Sequence, residues 1–179
     1  MNKIFQKLIG LEAGDFNHID GSLINHLKGT HKLLGDWKAS STLQNAGLYH
    51  AAYGTSAFNE KLVLSNQRND IALIIGKKSE NIVYQYCACD RQDFFSRIGV
   101  ESNPQFRNRF TSEIYNLKPS MLNDLCELTA ANEIEIAIDN PDFINEHGAG
   151  LRALFSKMNP YLSPAARNKV VGVFGTING

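Results

Sequence analysis

Along most of this chain apolar residues recur every three to four positions, the period of a helix with one buried face. Few segments alternate as strands do. The pattern predicts a short first helix over residues 2–9, then the turn-like "AGDFNHIDGS". A longer helix follows from Ser22 to Trp37, with Ser22 or Asp20 as N-cap. A third runs from Ser41 to Tyr53 and ends at Gly54, and residues 67–75 and 78–96 read as two more, broken near Gly76. The polar stretch from Glu101 to Arg109, with Pro104 inside it, reads as a loop. Pro119 suits the first turn of a long helix that ends near Ile138. "DNPDF" terminates that helix, "GLRALFSKM" supplies a last amphipathic turn or two, and the tail "KVVGVFGTING" reads as irregular, with room for one short strand. The expected fold is all-α, a compact helical bundle.

Composition narrows the classes of function. A length of 179 residues suggests one domain, 1–179. Eighteen basic residues balance eighteen acidic ones, so no net charge draws the chain to nucleic acid or to an acidic membrane. "RQDFFSR" and "FRNRF" interleave arginine with phenylalanine, but with zero net charge they read as solvated helix faces carrying core aromatics. No apolar run approaches the ~20 residues of a membrane helix. "MNKIFQKLIGLEAGD" lacks the apolar core and cleavage site of a signal peptide. Cys87, Cys89 and Cys126 form an odd set without CxxC spacing, which fits reduced thiols acting as small hydrophobes. The expectation is a cytoplasmic protein with a small-molecule ligand, no nucleic-acid or membrane partner, and a homodimer left open.

Candidate chemistry comes from polar residues on apolar faces. On the second helix Leu23, Leu27, Thr30 and Leu34 form the inward stripe, with His26 at its edge. On the third, His50 stands near the middle of the face shared by Leu43, Ala46, Gly47 and Gly54, where small residues allow another helix to come close. Asp90 falls on the face of Ile82, Val83 and Tyr86, and Asn132 is centred among Leu122, Leu125, Thr129 and Ile136. Each has an ordinary reading, because buried polar groups find partners. His26 and His50 can be satisfied core histidines, Asp90 a helix cap, and Asn132 a register-setting hydrogen bonder. His18 and His31 read as surface or capping residues. Taken together, four inward polar groups on separate helices would make a site if they converge.

A histidine on one helix, a second on an "xGLxH" helix and a polar residue on a distant helix resemble the HD-domain superfamily. There H…HD…D assembles a metal site in a helical bundle. More closely, "GSLINHLKGTHKLLGDW", "AGLYHAAYGT", "IIGKKSENIVYQYCACDR" and "LCELTAANEIE" are similar to DUF6817, a bacterial family of unknown function. That likeness spans about residues 16–138, leaving 139–179 as a C-terminal extension. The superfamily resemblance implies a metal-dependent phosphohydrolase or a di-iron oxygenase. The aspartate that follows the second histidine there is Ala51 here, which argues against a two-metal centre. Gly54 and Thr55 stand where alarmone hydrolases carry an acidic pair, which argues against that activity. "TAAN" assigns the superfamily's final aspartate to Asn132, and Asp90 is the competing candidate.

Two functions follow. In the first, His26, His50 and Asp90 hold one divalent metal, Fe or Zn, in a mononuclear enzyme, oxygenase or hydrolase, acting on a small anionic molecule. His50, Tyr53 and Glu80 then serve as catalytic groups, and Arg68, Arg91 and Asn132 bind substrate. In the second, a metal-free, degenerate HD fold binds a small molecule or protein without catalysis. Metal-free acid–base catalysis by His50 with Asp90 or Glu133 is a third reading.

Overall fold

The apolar stripe anticipated on the second helix is the seam on which the N-terminal half is built. In a computed structural model, which describes residues 3–12, 21–56 and 61–176, the chain divides into two compact units, Met1–Cys89 and Asp90–Gly179. The sequence reading expected one domain. His18 and the cap candidate Asp20 lie outside the described residues, as does the side chain of Ser22.

The first unit contains α1 (Lys3–Glu12), α2 (Gly21–Asp36), α3 (Ser41–Tyr49), α4 (Arg68–Ile75) and α5 (Lys77–Ala88). Leu27, Thr30 and Leu34 of α2 are buried, as their spacing requires. They pack on α3, which opens where Ser40 Oγ accepts the Leu43 amide proton at 3.2 Å. This helix stops at Tyr49, four residues before the predicted end. Beyond it the chain stays buried through Thr55, turning at Gly54 with φ +71°. α3 also packs on α5, whose inward residues include Ile82, Val83 and Tyr86. Tyr49 donates from its hydroxyl to the Ile4 carbonyl of α1 at 2.8 Å, and burial raises its pKa.

The helix expected over 78–96 is two helices. α5 ends at Ala88, and Asp90 caps α6 (Arg91–Arg97) by accepting the Asp93 amide proton at 3.2 Å. The second unit continues with β1 (Gln105–Arg107) and β2 (Ile114–Asn116), an antiparallel pair in which Phe106 faces Tyr115. The expected loop over 101–109 therefore contains a strand. α7 (Pro119–Ala137) begins at its proline as predicted and is buried without a break from Leu125 to Asn132. Such burial marks a helix enclosed on most faces. α8 (Pro141–Met158) and α9 (Pro164–Phe174) pack against it. Both exceed the sequence reading, which took "DNPDF" only as a stop and the tail as irregular. Asn140 and Ser163 cap these helices, each followed at once by a first-turn proline. The described residues are predominantly helical with a single two-stranded sheet, so the all-α expectation holds. No described helix is long and apolar enough to cross a membrane. The three cysteines are buried thiols.

Candidate functional site: an imidazole pair on a helix seam

The seam between α2 and α3 closes around Gly47. A Cβ there would stand 2.5 Å from Leu34 Cδ1 and 3.5 Å from Thr30 Cγ2, so only glycine permits this approach without a shift. His50 follows Gly47 by three residues, and His26 precedes Thr30 by four, so the contact that joins Gly47 to Thr30 also joins the two histidines. Their Nε2 atoms lie 3.2 Å apart, with ring centroids at 5.1 Å and planes at 82°. His50 is buried and His26 half-buried.

The protonation pattern of the neutral pair follows from one further contact. His50 Nδ1 lies 2.7 Å from the Gly47 carbonyl oxygen, which can only accept, so Nδ1 carries the proton. His50 Nε2 is then an acceptor, and the hydrogen in the 3.2 Å contact belongs to His26 Nε2. Tyr86 meets the His50 ring edge-on at 5.6 Å, and the Cys87 thiol donates to the His50 carbonyl at 3.1 Å. The imidazole is thus held on several sides. Thr30 Oγ1, fully buried one turn along α2 from His26, has no hydrogen-bond partner among the described residues. His31 also bridges the seam, donating from Nδ1 to the Gln44 carbonyl at 2.8 Å.

The other candidates in this unit form a separate cluster. Glu80 is buried and takes a two-pronged contact from Arg68, Nε to Oε1 at 2.6 Å and Nη2 to Oε2 at 2.8 Å. The Tyr53 hydroxyl donates to Oε1 at 3.0 Å, and the Arg68 guanidinium lies 3.7 Å above the Tyr84 ring. Burial, and then the Glu80 charge, raise the Tyr53 pKa, while the hydrogen bond to Glu80 raises that of Arg68. The guanidinium expected to take an anionic substrate is engaged by Glu80.

Asp90, Arg91 and Asn132 belong to the second unit. Asp90 is the α6 cap. Arg91 Nη1 lies 3.6 Å from Glu133 Oε1, the oxygen that also accepts from Asn132 Nδ2 at 3.0 Å. Among the described residues no group of three or more His, Cys, Asp or Glu side chains is placed to hold a metal ion. The pair itself offers two imidazole nitrogens, half of what a four-coordinate zinc requires.

Sequence reasoning named His26 and His50 but missed the Gly47 carbonyl that fixes their polarity, because periodicity carries no information on backbone acceptors. It also missed the Arg68–Glu80 fork and the Tyr84 platform, which join residues 12 and 16 positions apart from different helices. No curated protein and no solved structure matches the chain. A family model described as "Domain of unknown function (DUF6817)" matches residues 7–91, so "LCELTAANEIE" lies beyond it. The segment that carries the imidazole pair therefore lies within the residues that resemble the DUF6817 family.

Proposed function

We propose that the DUF6817 segment is a metal-free binding domain for a small polar molecule, with the His26–His50 pair as its recognition element. The observation that carries this reading is the 3.2 Å contact between the two Nε2 atoms, in which each imidazole satisfies the other. A buried ring nitrogen that already has a protein partner needs no ion to offset its desolvation. Glu80, Tyr53 and Arg68 act in this reading as a structural clamp, because each is engaged by another member of the cluster.

One feature favours a second reading, a mononuclear Fe or Zn protein of HD-like type. Zinc bonded to imidazole at about 2.0–2.1 Å has a tetrahedral N···N edge of roughly 3.3–3.4 Å. The Nε2 separation is 3.2 Å, and the backbone anchor on His50 Nδ1 is of the kind that orients metal-bound histidines. Donors beyond the two imidazoles would have to come from solvent or ligand.

Metal analysis of protein purified without chelator separates the two. The first reading expects far less than one equivalent of Zn, Fe or Mn, and the same melting temperature with and without EDTA. Stoichiometric metal that disappears in His50→Ala would overturn it in favour of the second.

A further inference from the structure

The helix α8 carries more apolar surface than its own unit covers. Gly148, Phe155 and Met158 are its buried residues. On the adjoining face Phe143, His147, Gly150 and Leu154 repeat the helical spacing, yet Phe143 and Leu154 are only half-buried. With Phe95 of α6 and Glu133 of α7 they line a groove of about 400 Å³, a volume suited to a small molecule. Gly150 keeps one wall low, since a Cβ there would meet nothing within 4 Å. We infer that this groove of the Asp90–Gly179 unit binds a small organic cation, a protonated amine joined to an aromatic or branched aliphatic body.

The chemistry of the walls selects that occupant. Glu133 supplies the one carboxylate among the lining residues, and its side chain is 15% exposed. Its polar contacts among the described residues both fall on one oxygen. Asn132 Nδ2 donates to Oε1 at 3.0 Å, and Arg91 Nη1 stands 3.6 Å from the same atom. Oε2 is left to accept from a ligand, and Arg91 does not itself line the groove. Most of the remaining wall is hydrocarbon and aromatic. Phe95 and Phe143 supply π-systems that attract a cation, and the His147 ring lies 4.8 Å from that of Phe143. Behind His147, Glu146 Oε1 approaches Nε2 at 3.7 Å and adds negative charge at the rim. An apolar body is thus matched to the phenylalanines and Leu154, and an ammonium to Oε2. A carboxylate or phosphate would set like charge against Glu133.

The test is methyl and aromatic-ring NMR on the full chain, at a mildly alkaline pH where an ordinary imidazole is neutral. Three probes of similar shape are titrated: phenethylammonium chloride, 2-phenylethanol and sodium phenylacetate. The ammonium is expected to shift the Leu154 methyl and the Phe95 and Phe143 ring signals saturably. Phenylacetate is expected to bind about tenfold more weakly, with the alcohol between them. Gly150→Leu, whose added side chain starts in open space, is expected to abolish the ammonium shifts. Glu133→Gln keeps the shape and is expected to lower the ammonium to the affinity of the alcohol. Should Glu133→Gln fail to fold, the wild type and Gly150→Leu still decide. No saturable shift with the ammonium, phenylacetate binding as tightly as the ammonium, or ammonium binding unchanged in either variant would each overturn the inference.

Discussion

Two polar clusters in the Met1–Cys89 unit answer the cost of burial in opposite ways. Around Glu80 a full negative charge is held by a two-pronged guanidinium, a phenol hydroxyl and an aromatic ring under the cation. Around His50 two imidazole rings meet, and the buried one is anchored on a backbone carbonyl. The first arrangement uses its groups on one another, which makes it a clamp between α4, α5 and the segment after α3. The second joins a buried ring, anchored on the Gly47 carbonyl, to a half-buried one on the neighbouring helix. Groups that the sequence placed in one site, His50, Tyr53, Glu80 and Arg68, therefore divide between two separate clusters.

The largest test of this contrast is Glu80→Ala. Removing one partner of a buried ion pair costs about 3–5 kcal/mol. The Arg68 side chain is 36% exposed, which reduces the expected loss to about 2–3 kcal/mol in urea unfolding. A loss under about 0.5 kcal/mol would show that the cluster is no clamp.

Gly47→Val comes next. Its Cβ meets buried Leu34 and Thr30, so overpacking is expected to cost about 1–3 kcal/mol and to alter the His26 and His50 ring signals. An unchanged histidine spectrum would separate the imidazole contact from the helix approach.

Asp124 of α7 shows a carboxyl group whose charged neighbour is an acid rather than a guanidinium. Burial, then the Glu127 charge, pushes its pKa up to about 6 from 3.8. A raised acid pKa contributes stability that is full below pH 3.8 and is lost as pH rises through about 6. Discounted for partial solvent screening, the loss over that window is on the order of 1–2 kcal/mol. Asp124→Asn is expected to flatten that part of the stability–pH curve, and an identical slope in the variant would refute the assignment.

The smallest expected effect is at Thr30. Its buried hydroxyl has no hydrogen-bond partner among the described residues, so the isosteric Thr30→Val is expected to be neutral or to stabilise by up to about 1 kcal/mol. A destabilising effect of more than about 0.5 kcal/mol would mean that the hydroxyl is used.

Legibility in the sequence tracked the range of the interaction. Leu27, Thr30 and Leu34 were readable as inward because a helical stripe is a local property, and Pro119 marked a helix start for the same reason. The Asn140–Pro141 and Ser163–Pro164 pairs carried equally local start signals for α8 and α9, yet the first read as a stop, because proline ends one helix as readily as it opens another, and the second was not read at all. At Asp90 the sequence offered a cap as one reading, but the apolar period continues across it, and the cap alone divides the helix.

The sequence by itself determined the helical class, the inward histidines of α2 and α3, the absence of an acid at Ala51 and the small residue that lets the helices approach. These depend on residue type and spacing within single helices. Only the tertiary structure decided that His26 meets His50, that Gly47 supplies the acceptor, that Glu80 engages Arg68 and Tyr53, and that Asp90 caps a helix. Those outcomes depend on which helices pack together and in what register, and on backbone carbonyls that every residue carries alike.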